Sequence, residues 1–180
     1  TSVETWAESI CRDYSGPKIV HRLDQDTSGI MVIALNINAY HHLQKQFENH
    51  SIKKKYVALT EKIPSKKEQT IILPLAPDIT NRPMQMISRE YGLYAETYYK
   101  VVNEKEGKAL IDVYPHTGRT HQIRVHLSCK EGADAPIVGD RLYGSKSIVC
   151  RLMLHAEKIT FEHPSTKKEM TFEDKAPFGL

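Results

Sequence analysis

Asp24 is the first residue of this chain whose neighbours are those a reaction needs. It lies in the run His21-Arg22-Leu23-Asp24-Gln25-Asp26-Thr27-Ser28-Gly29, which gathers acids, a base, hydroxyls and turn formers ahead of an apolar stretch at 30–35. A carboxylate presented at the start of a buried element can act as a nucleophile or stabilise a positive charge, provided that it is ionised. Taken alone, an Asp before Thr-Ser-Gly reads more simply as a turn or cap residue. Tyr56 offers a ring face for stacking and a hydroxyl, although a phenol with the ordinary pKa of about 10 is a poor base at neutral pH. Arg119 and Arg124 are planar cations suited to a carboxylate or a phosphate, and residue types alone do not rank them.

Three ordered blocks carry a resemblance to a known family. The first is the run around Asp24; the second is Lys54-Lys55-Tyr56-Val57-Ala58-Leu59. The third is Thr117-Gly118-Arg119-Thr120-His121-Gln122-Ile123-Arg124-Val125-His126-Leu127, followed by Pro136-Ile137-Val138-Gly139-Asp140-Arg141-Leu142-Tyr143-Gly144. Together, from about Cys11 to the C-terminus, they resemble the RluA family of pseudouridine synthases, which isomerise uridine inside RNA. Asn81-Arg82-Pro83-Met84-Gln85 is similar to the branch acting on both a transfer-RNA anticodon stem-loop and 23S ribosomal RNA. The family normally carries more chain ahead of its Asp block than the twenty residues found here, so the single catalytic domain, residues 1–180, is expected to be shortened at its N-terminus.

The resemblance implies an α+β pseudouridine synthase catalytic fold, with a central mixed, mainly antiparallel β-sheet, flanking helices and a cleft between two lobes. It makes Asp24 the catalytic carboxylate, Arg124 the partner that lowers its pKa, and Tyr56 the ring that stacks on uracil and takes part in removing the C5 proton. Isomerisation breaks the C1′–N1 bond, turns the base, joins C1′ to C5 and releases the C5 proton. Attack on C1′ or C6 and elimination at the sugar all remain open to the carboxylate. The target nucleotide must leave its stack, at a cost of a few kcal/mol, and Arg22 is implied to fill the gap. The alternative for Arg22 is a salt bridge to Asp26.

Further basic residues suggest an approach surface for RNA. Lys54, Lys55, Arg82 and Arg119 are its candidate RNA-binding residues, joined by Lys53 and Arg89, with Lys66 and Lys67 nearby in sequence. His21 is read as a structural hydrogen-bonding residue. The nine histidines form no His-Glu-x-x-His helix, and the glycines have no phosphate-loop spacing, so neither a metal nor a nucleotide cofactor is expected. The expected partner is structured RNA, ribosomal or transfer, met by a monomer. A base-excising glycosidase and an RNA-binding module without catalysis are the competing readings.

The elements that must position these residues can be read from period and punctuation. With 180 residues, 40% hydrophobic and 26% charged, one substantial core is expected. No apolar run approaches the roughly 20 residues of a membrane span, and residues 1–10 do not read as a signal peptide. Cys11, Cys129 and Cys150 are odd in number and widely spaced, which fits a reducing cytoplasm better than a disulfide framework. Net charge is +3, a mild excess compatible with nucleic acid.

Residues 30–35 predict a strand buried on both faces, and Asn36 predicts the cap of a helix through about His50. Residues 56–60 and 71–73 predict strands suited to antiparallel pairing, whereas 78–91 reads as polar and irregular. Residues 95–102 and 108–114 predict a hairpin around 103–107. A short helix within 120–130 is expected to be capped by Thr120 and stopped by Gly132. An apolar element at 148–154 and a terminal strand pair at 158–162 and 169–172 complete the pattern.

Overall fold

Two residues at positive φ, Glu106 at 52° and Gly107 at 77°, make the tight turn that joins β6 (Glu96–Lys105) to β7 (Lys108–Pro115). This hairpin belongs to a seven-stranded sheet in the computed structural model, which describes residues 2–11, 13–145 and 151–180. The other elements are α1 (Val3–Ile10), β1 (Ser28–Gly29), α2 (Ile37–Glu48), β2 (Lys53–Thr60), β3 (Glu68–Ile72), β4 (Leu75–Pro77), β5 (Gln85–Ile87), α3 (Gln122–Ser128), β8 (Leu154–Glu162) and β9 (Glu169–Glu173). Strand order is β1-β8-β2-β7-β6-β3, with β9 also on β8, and β4 and β5 form a separate small sheet. Only the β1–β8 pairing is parallel among the described strands. The expected mixed, mainly antiparallel α+β sheet is present.

Alternation decides which face of each strand is buried. Tyr56 and Ala58 on β2, Ile111 and Val113 on β7 and Tyr99 on β6 belong to or border the main core cluster, into which α3 inserts Ile123 and Leu127. A second cluster lies around α2, where Leu43 and Phe47 pack with Ala34, Ile159 and Phe161. Asn36 accepts the Ala39 N–H at 2.9 Å and so caps α2 as anticipated.

Several elements depart from the sequence reading. The stretch 30–35 is not a strand buried on both faces: ladder pairing covers only Ser28 and Gly29, Ile33 makes an isolated bridge to Ile19, and Leu35 is exposed. Its apolar side chains instead line the flank of the α2 cluster, an environment that composition cannot tell from a central strand. Strands β2 and β3 do not pair; β7 and β6 stand between them, because the long hairpin supplies the neighbours for both. The polar 78–91 segment contains β5, which pairs with β4 through Leu75↔Ile87. The helix within 120–130 forms, but its N-cap is His121 at φ 54°, without a side-chain cap bond, and Cys129 is its C-cap. Of the apolar element expected at 148–154, residues 148–150 lie outside the described residues and Leu154 opens β8.

Gly29 shows how closely the Asp24 loop approaches the sheet. At φ +116°, a Cβ built on it would lie 2.3 Å from the Ala156 carbonyl oxygen, whereas Gly107, also at positive φ, has nothing within 4 Å. Gly29→Ala is expected to destabilise the fold by about 2–4 kcal/mol through combined overpacking and backbone strain, and Gly107→Ala by about 1 kcal/mol. Urea unfolding of the two variants checks the order; equal losses would mean that the parallel contact is loose.

Candidate active site

The loop that carries Asp24 is fastened at both ends. Thr27 N–H donates to the Asp24 carbonyl at 3.0 Å and closes a turn, after which Ser28 and Gly29 pair with His155 and Ala156. Ser28 Oγ lies 2.7 Å from His155 Nδ1 across this pairing. Upstream, the His21 ring stacks on Phe47 with centroids 4.7 Å apart, and its Nε2 accepts the Val32 N–H at 2.9 Å. That bond requires an unprotonated Nε2. Burial, helped by the Lys54 charge, holds the imidazole neutral by lowering its pKa to about 4.

Arg124 stands behind the carboxylate, with a stronger partner than Asp24. Its Nε and Nη2 donate to the two oxygens of Asp140 at 2.8 and 2.7 Å, a bidentate pair in which the Asp140 side chain is fully buried. Asp140 also accepts the N–H groups of Leu142 and Tyr143. The remaining terminal nitrogen, Nη1, lies 3.6 Å from Asp24 Oδ2, close enough for charge attraction but longer than a hydrogen bond. Asp140 lies in a block whose sequence was noted, yet no isolated Asp in Gly-Asp-Arg announces a buried counter-ion.

Helix α3 can hold this cation because its other polar residues are satisfied too. Gln122 accepts from Thr117 Oγ1 and Arg119 N, and donates to Glu96 O and Thr97 Oγ1. His126 bridges Thr97 Oγ1 and the Leu73 carbonyl, each at 2.9 Å. Residues 122–127 are all buried, the polar Gln122, Arg124 and His126 along with Ile123 and Leu127 of the main core.

Asp24 and Tyr56 line one hollow of about 80 Å³, with Arg22, Thr27, Lys54, Gly118, Arg119 and His121 among the other lining residues. Tyr56 is pushed up to about 12, first by burial and then by the Asp24 charge, so its phenol keeps its proton at neutral pH. The hydroxyl of Thr27 is buried and without a hydrogen-bond partner among the described residues. Lys54 Nζ reaches the Thr117 carbonyl at 3.3 Å, and burial lowers its pKa to about 8.

The remaining sequence candidates are dispersed. Arg22 is exposed on the rim, with no ion pair to Asp26 or any other described residue. Arg119 is also exposed and donates from Nε to the Tyr94 carbonyl at 3.0 Å. Lys55 does not join the hollow: it bridges Asp112 at 3.0 Å and Glu157 at 2.7 Å. Arg82 lies in the connection between β4 and β5, exposed and outside the hollow. Lys53, Lys67 and Arg89 pair with Glu169, Glu104 and Glu131 respectively. Sequence reasoning missed Thr27 and His121 as lining groups, although both fall inside quoted blocks.

With this geometry in hand, comparisons with known proteins point one way. The family profile described as RNA pseudouridylate synthase matches residues 12–129. The dual-specificity RNA pseudouridine synthase RluA of Escherichia coli K12 is 42% identical over 173 residues, spanning 94% of this chain and 78% of that protein. Its Salmonella typhimurium counterpart is 43% identical over the same shares. Among solved structures, human RNA pseudouridylate synthase domain containing 1 superposes with a TM-score of 0.77 at 27% identity, over 91% of this chain and 70% of that one.

Two stability measurements follow from the site. Asp140→Ala leaves a buried guanidinium without its bidentate partner and is expected to cost about 3–5 kcal/mol, whereas Asp24→Ala costs below about 1 kcal/mol. Urea unfolding at neutral pH separates them. His21 has a depressed folded pKa, so its contribution is complete above its ordinary value of 6.5 and is lost as pH falls through about 4. Between those limits roughly 3 kcal/mol of stability should disappear, and His21→Gln should flatten that part of the stability curve.

Proposed function

Because the chain belongs to the RNA pseudouridylate synthase family, we propose that it isomerises uridine in structured RNA with Asp24 as the catalytic carboxylate. The observation that carries this assignment is the convergence of three sequence-distant segments. Asp24 and Tyr56 face one hollow, and Arg124 lies 3.6 Å behind the carboxylate. The dual specificity of the RluA relatives is carried over as part of the proposal, with a transfer-RNA anticodon stem-loop and 23S ribosomal RNA as the two substrates.

In this reading the uridine leaves its stack and enters the hollow base first. Arg22, exposed on the rim and free of ion pairs among the described residues, takes the vacated place. Asp24 assists departure of N1 from C1′, either by attack or by elimination. The base turns, C1′ joins C5, and the C5 proton leaves, so substrate and product have the same mass. Arg124 attracts and orients the Asp24 carboxylate, while Asp140 neutralises most of the guanidinium charge. Tyr56 acts as a stacking surface and as a neutral phenol; its raised pKa argues against a phenolate that removes the C5 proton unaided.

The RNA strand has a basic path from the hollow. A larger concavity of about 630 Å³ shares Lys54 and Pro115 with it and adds Lys53, Tyr98, Tyr114 and His116 to its lining. Cations beside aromatic rings suit phosphates and unstacked bases.

Tritium release from unmodified transfer-RNA and 23S ribosomal RNA transcripts labelled at uridine C5 tests the reaction. Asp24→Asn is expected to lower release by at least a thousandfold while changing RNA affinity less than tenfold. Release of free uracil in place of pseudouridine would identify an excising enzyme, and binding without either product a binding module. Tyr56→Phe should retain more activity than Tyr56→Ala, since only the latter removes the ring. Lys54 loses its charge as pH rises through about 8, so RNA affinity should weaken between pH 7 and 9, and Lys54→Arg should remove that dependence.

A further inference from the structure

We propose that His121 is a substrate-contacting hydrogen-bond donor, whose Nε2–H meets a carbonyl oxygen of the uracil drawn into the hollow. This inference deepens the pseudouridine synthase reading and rests on it. The argument begins with Tyr143. The Gln85 N–H, which can only donate, lies 2.7 Å from the Tyr143 hydroxyl oxygen, and His121 Nδ1 lies 2.8 Å from the same oxygen. Burial raises the Tyr143 phenol to about 12, so the hydroxyl keeps a proton at neutral pH and must place it on an acceptor. Among the described residues the acceptor within reach is Nδ1 of His121. In the proposed tautomer Nδ1 accepts that proton, and the neutral imidazole carries its own on Nε2.

The imidazole is held neutral by its surroundings. Burial lowers its pKa, and Arg124 and Arg22 act in the same direction, against the opposing charges of Asp24 and Asp140. Nε2 has no partner among the described residues, and the His121 side chain lines the hollow beside Asp24. A neutral N–H donor matches an uncharged carbonyl better than it matches a phosphate. The backbone supports the same placement: His121 takes φ 54° at the start of α3, a conformation uncommon for a residue with a side chain, and that turn precedes a helix anchored by Gln122. Thr27, whose buried hydroxyl has no partner among the described residues, also lines the hollow.

The orienting chain runs Gln85 to Tyr143 to His121, so β5 reports on the site through a hydroxyl. Tyr143 also lies under the Arg124 guanidinium, 5.2 Å from its ring centre, which ties the same side chain to the cation behind Asp24. Tyr143 is a positioning residue in this scheme and His121 the one that touches substrate.

Nitrogen-15 NMR of the free enzyme at pH 7 tests the tautomer directly. Nε2 protonated with Nδ1 bare is expected; the reverse tautomer, or a cationic ring, overturns the inference. Tyr143→Phe should leave a mixture of tautomers. For function, His121→Asn is the informative variant, since Asn tolerates positive φ and can still reach Tyr143 but not the hollow. Its kcat/KM on substrate RNA should fall at least tenfold. RNA carrying 2-thiouridine or 4-thiouridine at the target should be a substrate at least fivefold worse for the parent enzyme with one of the two sulfur positions, and His121→Asn should be indifferent to that sulfur. Equal sulfur penalties in parent and variant would refute the contact. If the parent isomerises no RNA, the functional reading fails on its own. The His121 inference is then judged by titration with uridine 5′-monophosphate, where an unmoved Nε2 signal counts against it.

Discussion

The buried guanidinium of Arg124 is the constraint around which the site is built. A cation almost wholly removed from water is tolerable only if a fixed anion meets it, and Asp140 does so through two short bonds. Had Asp24 been the sole counter-ion, its charge would have been tied into a tight pair and its oxygens directed at Arg124. The 3.6 Å contact leaves Asp24 electrostatically supported yet free to face the hollow. Asp140 thus holds the cation in place, while Asp24 remains available for chemistry.

That arrangement demands a helix with no solvent face. In α3, Gln122 and His126 satisfy hydrogen-bonding groups from Thr97, Thr117, Glu96 and Leu73, while Ile123 and Leu127 enter the core. A network in which each buried polar atom has a partner is rigid, and rigidity is what a positioned guanidinium requires. The charge states of nearby groups follow from the same burial. His21 stays neutral and Tyr56 stays protonated, so the charges nearest Asp24 in the hollow are cationic: Arg124 beside it, Lys54 in the lining and the exposed Arg22.

Much of this was legible in the residues. The helix capped by Asn36, the β6–β7 hairpin and the β8–β9 pair all followed from period and turn chemistry, because those signals are local. Other readings failed where local signals are silent. The apolar composition of 30–35 suits a central strand as well as a cluster flank, and only the neighbours distinguish them. Lys54 and Lys55 look equivalent in sequence, yet successive residues of a strand face opposite ways. One lines the hollow, while the other is held by Asp112 and Glu157.

The sequence by itself determined which candidate groups are at hand: a carboxylate in a turn, an aromatic residue in a strand and an arginine in a helical block, in an order similar to one family. Tertiary structure alone decided how those groups are partnered. It gave Arg124 to Asp140, placed Asp24 in the lining of the hollow, raised the Tyr56 phenol, and set His121 Nδ1 against the Tyr143 hydroxyl. The reason is that ion pairing, desolvation and tautomer choice depend on distances of a few ångströms between residues far apart in the chain, and no spacing along one strand or helix encodes them.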